Sequence, residues 1–110
     1  METISRDDLK AKIDRGDDFQ LVMTLAEWAF QMSHIPGSIN VTSMPTAQEL
    51  LDPDDEIVVY CSDEQCLASR AAYMYLTSNG YKNVRRYAGG LSDWEAAGLP
   101  LEGEAHDTAA

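Results

Sequence analysis

The 110-residue sequence has little of what metal sites and nucleic-acid surfaces require. A structural zinc site needs about four cysteine or histidine ligands. The chain has only two cysteines and two histidines, and one of these four, His106, falls in the C-terminal segment EGEAHDTAA, which we expect to be frayed. We therefore expect no metal and no other cofactor. Its 8 lysines and arginines face 19 aspartates and glutamates, for a formal net charge of −11. This balance argues against nucleic acid and membranes as partners, because nucleic acids and anionic lipid surfaces bind basic patches.

Long apolar runs are also missing. No stretch approaches the roughly 20 apolar residues of a membrane span, and the N-terminal METISRDDLK has no apolar core of a secretion signal. We therefore expect a soluble, cytoplasmic protein whose two cysteines are free thiols. A hydrophobic content of 45% is enough for the core of one domain without structural cross-links.

Strand-like and helix-like segments alternate along the chain, which predicts an α/β domain with a mainly parallel sheet. The first helix is expected to have Ser5 as its N-cap and to end at Gly16. EIVVYC, residues 56–61, is the clearest strand and is apolar on both faces, as in a buried parallel sheet. Helical spacing of apolar residues begins at Leu67 and ends near Gly80.

Cys61 ends this strand, and the short segment after it is the candidate active-site loop. The loop comprises Ser62, Asp63, Glu64, Gln65 and Leu67 around the second cysteine, Cys66. Open parallel sheets bind ligands at this edge, and unpaired N–H groups at a helix N-terminus favour a thiolate or an anionic sulfur species. Position alone leaves open a second interpretation, in which Cys61 is a small buried hydrophobe.

Several motifs occur in an order that is typical of one family. They are HIPGSIN at 34–40, IVVYC at 57–61, GYKNV at 80–84 and YAGGLSDWEAAGLP at 87–100. With them, residues 4 to 101 resemble the rhodanese family of sulfurtransferases. The resemblance implies a three-layer α/β/α domain with a mainly parallel central sheet. We expect a single rhodanese-like domain over residues 1–103 and a flexible C-terminal tail over 104–110.

The resemblance also implies a reaction. In this family a cysteine thiolate takes a sulfane sulfur from a donor, holds it as a persulfide among loop amides, and passes it to a thiophilic acceptor. Aligning on the strand makes Cys61 the catalytic cysteine, whereas aligning on the helix moves the assignment toward Cys66. We favour Cys61 and keep Cys66 as a second candidate or a resolving thiol. The expected partner is a small sulfane-sulfur donor or a persulfide-bearing protein.

The loop is unusual for the family in its length and its charge. Asp63 and Glu64 stand where basic residues or glycine are more usual, and both carboxylates would oppose an approaching dianion. We therefore expect thiosulfate to be a poor donor.

Other motif residues have structural interpretations. His34 is expected to make local hydrogen bonds in a turn. Gly89 and Gly90 are expected to allow close backbone approach beside the loop, and Trp94 is expected to anchor the last helix in the core.

Two alternatives belong to other functional classes. A thiol phosphatase or arsenate reductase would need an arginine six residues after the cysteine to clamp an oxyanion, and Leu67 occupies that position. A non-enzymatic redox-sensing or interaction module would use Cys61 and Cys66 as a reversible thiol pair.

Overall fold

The computed structural model describes residues 1–106, and within them strands and helices alternate as predicted. The elements, in chain order, are α1 Arg6–Arg15, β1 Gln20–Met23, α2 Glu27–Met32, β2 Ile39–Asn40, α3 Met44–Leu50, β3 Glu56–Tyr60, α4 Leu67–Ser78, β4 Asn83–Arg86 and α5 Gly90–Ala96. A single 3-10 turn, Glu104–His106, follows.

The four strands form one parallel sheet in the order β2-β1-β3-β4. The central strand β3 pairs with β1 on one side and β4 on the other, so that Val59 lies beside both Val22 and Arg86. Because all strands run in the same direction, their carboxyl ends meet at one edge. The chain leaves the middle of this edge at Cys61.

Helices cover both faces of the sheet. On one face, Val58 and Tyr60 of β3 share a core with Leu9 of α1 and Trp94 of α5. On the other face, Ile57 and Val59 share a core with side chains of α3 and α4. The alternation of β3 side chains between two buried cores explains why this strand is apolar throughout. The predicted three-layer α/β/α architecture with a parallel sheet is confirmed.

The first helix shows how local sequence positions the elements. Ser5 Oγ accepts a hydrogen bond from the Asp8 N–H at 3.1 Å, and Gly16 ends the helix at φ 71°. Ile4 and Leu9, at the two staple positions, are both buried. These contacts fix the N-terminal turn of α1 against the core.

The C-terminal region extends past α5 along the second helix. His34 and Glu102 pair through both backbone N–H groups at 2.9 Å, and His106 Nε2 lies 2.8 Å from Ser33 Oγ. The last residues of the predicted flexible tail, 107–110, lie outside the described residues, so the domain limits remain a prediction. Across residues 1–106, no helix is both long enough and apolar enough to cross a membrane.

Candidate active site

Cys61 is held at the end of β3 by the N-terminus of α5. Its side chain is buried, with an exposed fraction of 1%. The Leu91 N–H donates to the Cys61 carbonyl at 2.9 Å, and the Ser92 N–H donates to the Ser62 carbonyl at 2.8 Å. These bonds place the beginning of the loop directly against the first turn of α5.

Gly90 makes this contact possible. Its φ is 62°, in the left-handed region, and a Cβ atom built there would overlap the Cys61 carbonyl oxygen and lie 2.9 Å from the Ser62 carbonyl carbon. Of the two glycines, Gly90 therefore makes the predicted close backbone approach to the loop. Gly89 instead lies against the Asp93 side chain.

The loop after Cys61 is a compact turn. Asp63 Oδ1 accepts a hydrogen bond from the Gln65 N–H at 3.0 Å, and the Cys66 N–H donates to the Asp63 carbonyl at 3.2 Å. Asp63, Glu64 and Gln65 are exposed. The two carboxylates thus lie at the solvent surface, and one of them stabilises the turn itself.

The loop brings the two cysteines together. The Cα atoms of Cys61 and Cys66 are 6.4 Å apart, and their sulfur atoms form a disulfide. The expectation of two free thiols is therefore wrong for this structure, in which no described cysteine is free. Cys66 therefore reaches Cys61, as a resolving thiol must, because the turn keeps the Cα separation within the range that a disulfide requires.

Ser69 and Arg86 lie behind the sulfur of Cys61. Ser69 Oγ is 3.2 Å from Cys61 Sγ and 2.8 Å from Arg86 Nε. The guanidinium can only donate, so Ser69 Oγ accepts from Arg86 and its own hydroxyl proton is available to the sulfur. The three side chains form a chain of hydrogen bonds from a cation to the cysteine.

Arg86 also holds the loop. Its Nη2 donates to the Glu64 carbonyl at 3.0 Å and to the Cys66 carbonyl at 3.4 Å. Burial lowers the pKa of Arg86 from its ordinary value, nearby Arg70 lowers it further, and Glu64 partly opposes them. An arginine nevertheless remains protonated at neutral pH.

The Arg86 charge has no carboxylate partner within 4 Å among residues 1–106, although its side chain is only 3% exposed. A buried cation is costly unless a negative charge or hydrogen bonds compensate it. Three oxygen acceptors and the adjacent cysteine provide this environment. The site is therefore suited to stabilising negative charge on the Cys61 sulfur.

Neither Ser69 nor Arg86 was singled out from the sequence, although a signal exists for each. Arg86 lies two residues after the buried Val84 on β4, so the two side chains share a face of the sheet. Ser69 precedes Ala72 and Leu76 at helical spacing, on the inner side of α4. A polar residue at a core-facing position of either element indicates a possible site.

The remaining predicted residues lie as follows. Leu67, in the first turn of α4, is 72% exposed. Its apolar side chain cannot clamp an oxyanion, as the arginine of a thiol phosphatase would at this position. His34 Nδ1 lies 2.7 Å from the Phe30 carbonyl, and the His34 ring stacks on the Phe30 ring, as expected of a residue with local contacts. Trp94 is buried and donates from Nε1 to the Pro100 carbonyl at 2.8 Å, which confirms its anchoring role.

Known proteins resemble this chain in sequence and in fold. The family model described as Rhodanese-like domain matches residues 5–97. The thiosulfate sulfurtransferase GlpE of Haemophilus influenzae is 36% identical over 75 residues, which are 66% of this chain and 70% of GlpE. The HTH-type transcriptional regulator Rv0324 of Mycobacterium tuberculosis is 31% identical over 103 residues, which are 92% of this chain but only 45% of the regulator.

A solved structure supports the same likeness. The solution structure of the rhodanese-like domain of the Anabaena protein Alr3790 superposes with a TM-score of 0.86 at 25% identity. This superposition covers 100% of the present chain and 86% of the Anabaena domain.

Proposed function

The chain belongs to the rhodanese-like domain family, and on that premise we propose that it is a sulfurtransferase with Cys61 as the sulfur carrier. The reduced Cys61 thiolate attacks the sulfane sulfur of a donor, and the donor leaves without that sulfur. The resulting persulfide is then attacked at its outer sulfur by a thiophilic acceptor, which restores the thiolate. Relatives named thiosulfate sulfurtransferase support this class of reaction.

The observation that carries the proposal is the hydrogen-bond chain from Arg86 through Ser69 to Cys61. Both the attacking thiolate and the persulfide are anions, and a buried cation nearby lowers the free energy of each. Cys66 is only partly buried, and no hydrogen bond from a described side chain reaches its sulfur. This difference favours Cys61 over Cys66 as the nucleophile.

We propose that the preferred donor is a persulfide on a small thiol or on a partner protein. Asp63 and Glu64 lie exposed in the loop directly after Cys61, and the chain carries a net charge of −11. Thiosulfate is a dianion and meets this negative field at close range, which makes it a poor donor.

Cyanide-dependent sulfur transfer tests the assignment, with mass spectrometry of the loaded protein as a second measurement. Immediately after exposure to the donor the reduced wild type should carry one added sulfur atom on Cys61, and it should form thiocyanate when cyanide is present together with the donor. Cys61→Ser should abolish both, whereas Cys66→Ser should keep part of the transfer. The opposite behaviour of the two variants would assign the reaction to Cys66.

The Cys61–Cys66 disulfide makes a non-enzymatic redox module the second candidate, although family membership does not favour it. The same mass measurement separates the two. A redox module loses two hydrogen atoms on mild oxidation and gains no sulfur from any donor.

A further inference from the structure

We propose that this domain has a second activity: it reduces the transferred sulfur and releases it as hydrosulfide, with Cys66 as the resolving thiol. The inference rests on the proposed function, because it begins from a persulfide on Cys61. It assigns Cys66 a chemical step of its own, separate from sulfur transfer to an external acceptor.

The disulfide supplies the geometric basis. Cys66 Sγ is bonded to Cys61 Sγ, so it reaches the inner sulfur of a Cys61 persulfide rather than only the transferred outer sulfur. The backbone that allows this contact is held in place on both sides. The Leu91 N–H binds the Cys61 carbonyl at 2.9 Å, and Arg86 Nη2 binds the Cys66 carbonyl at 3.4 Å.

The chemistry balances without an external oxidant or reductant. The Cys66 thiol loses its proton, and its sulfur attacks Cys61 Sγ. The Cys61–Cys66 disulfide forms as the bond between Cys61 Sγ and the outer sulfur breaks. The outer sulfur leaves with the electron pair and takes up the proton as hydrosulfide. The sulfane sulfur is reduced to sulfide, and the two cysteines are oxidised together by two electrons.

The proximity of Cys66 to Cys61 favours hydrosulfide release over sulfur transfer to a dilute external acceptor. The two cysteines are five residues apart in a turn closed by the hydrogen bond from the Cys66 N–H to the Asp63 carbonyl. An intramolecular thiol in such a loop acts at an effective concentration far above that of free thiols. Hydrogen sulfide is also a stronger acid than an alkyl thiol, and thiol–disulfide exchange is faster when the leaving sulfur is the more acidic.

The product of this step is the disulfide form described above. Cys66 is partly exposed, so an external thiolate can attack its sulfur and expel the buried Cys61 as the thiolate that Ser69 and Arg86 stabilise. A dithiol reductant completes this exchange and regenerates the reduced domain. Each cycle then consumes one sulfane sulfur and one dithiol.

A single-turnover experiment without reductant tests the inference. Wild type, Cys66→Ser and Cys61→Ser are reduced with dithiothreitol, desalted without oxygen, and treated with a small excess of glutathione persulfide that is then removed. Released sulfide and the intact mass are followed over time. The wild type should release close to one sulfide per chain and end with the mass of the disulfide form. Cys66→Ser should retain one extra sulfur and release at least ten-fold less sulfide.

The outcomes separate the two proposals. If the wild type keeps the extra sulfur as stably as Cys66→Ser, or if peptide mapping finds it on Cys66, the release step is refuted while sulfur loading stands. If Cys66→Ser gains no sulfur, the proposed function itself fails. Cys61→Ser serves as the control for non-specific loading, and sulfide release from that variant equal to wild type would also overturn the assignment.

Discussion

Removing the positive charge of Arg86 should make the Cys61 thiolate harder to form. Arg86→Gln keeps a hydrogen-bond donor of similar reach but removes the charge. The effect is measured in a Cys66→Ser background, in which Cys61 is the only thiol. The rate of alkylation by iodoacetamide, followed against pH, then reports the thiolate fraction of this one residue.

The structure sets the expected size of the effect. Ser69 Oγ lies 3.2 Å from the Cys61 sulfur and 2.8 Å from Arg86 Nε. The guanidinium charge is therefore about 6 to 7 Å or less from the sulfur. At an effective dielectric constant near 20, two unit charges at that distance interact by about 2.5 kcal/mol. An interaction of this size shifts a titration midpoint by about two pH units. Solvent at the partly exposed loop reduces the interaction, so we expect the midpoint of the alkylation profile to rise by about one to two units.

Arg85→Gln is the matched control. Arg85 is the preceding residue of the same strand, alternates to the opposite face of the sheet, and makes no side-chain hydrogen bond to the loop among those described. It should move the midpoint by less than about 0.3 units, since a more distant and more exposed charge is strongly screened. Arg86→Lys should recover part of the shift. If Arg86→Gln folds, as judged by circular dichroism, and its midpoint equals that of the Arg85 control, Arg86 does not act on the sulfur.

Three further predictions concern stability and donor choice. Gly90→Ala should lower the free energy of unfolding by about 2 to 4 kcal/mol in urea denaturation, because strain at a positive φ adds to a clash with the loop backbone. Gly98→Ala, with φ 72° but no heavy atom within 4 Å of the new Cβ, should cost only about 1 kcal/mol, and equal losses would show that the clash is absent. Asp63→Asn combined with Glu64→Gln should lower the KM for thiosulfate about two- to five-fold at low salt and less at high salt; an unchanged KM would exclude the acidic loop from donor choice. Burial raises the pKa of Tyr60 to about 12, against opposing hydrogen bonds from Ser38 and the Ile35 N–H. Its contribution to stability is thus complete below pH 10 and is lost as the pH rises toward 12. In Tyr60→Phe the free energy of unfolding should therefore fall less than in the wild type as the pH rises from 10 toward 12. An equal fall in both proteins would show that Tyr60 does not cause this loss of stability.

The sequence alone determined the elements and their order, because the signals for them are local. Ser5 and Gly16 mark the ends of α1 through hydrogen bonds and a backbone conformation within a few residues. The uninterrupted apolar run of β3 requires burial on both faces, which only a covered parallel sheet provides. The position of Cys61 at the end of this strand follows from the same pattern.

The tertiary structure decided the surroundings of Cys61, because they come from segments that are distant in sequence. Arg86 belongs to another strand, and only the parallel register of β3 and β4 brings it beside the loop. The Cys61–Cys66 link depends on how far the loop curls, and a variable loop carries no periodic pattern from which that separation follows. Hydrogen bonds and charges act through space over a few ångströms, so their partners are set by the packing of the sheet against α4 and not by neighbouring residues in the chain.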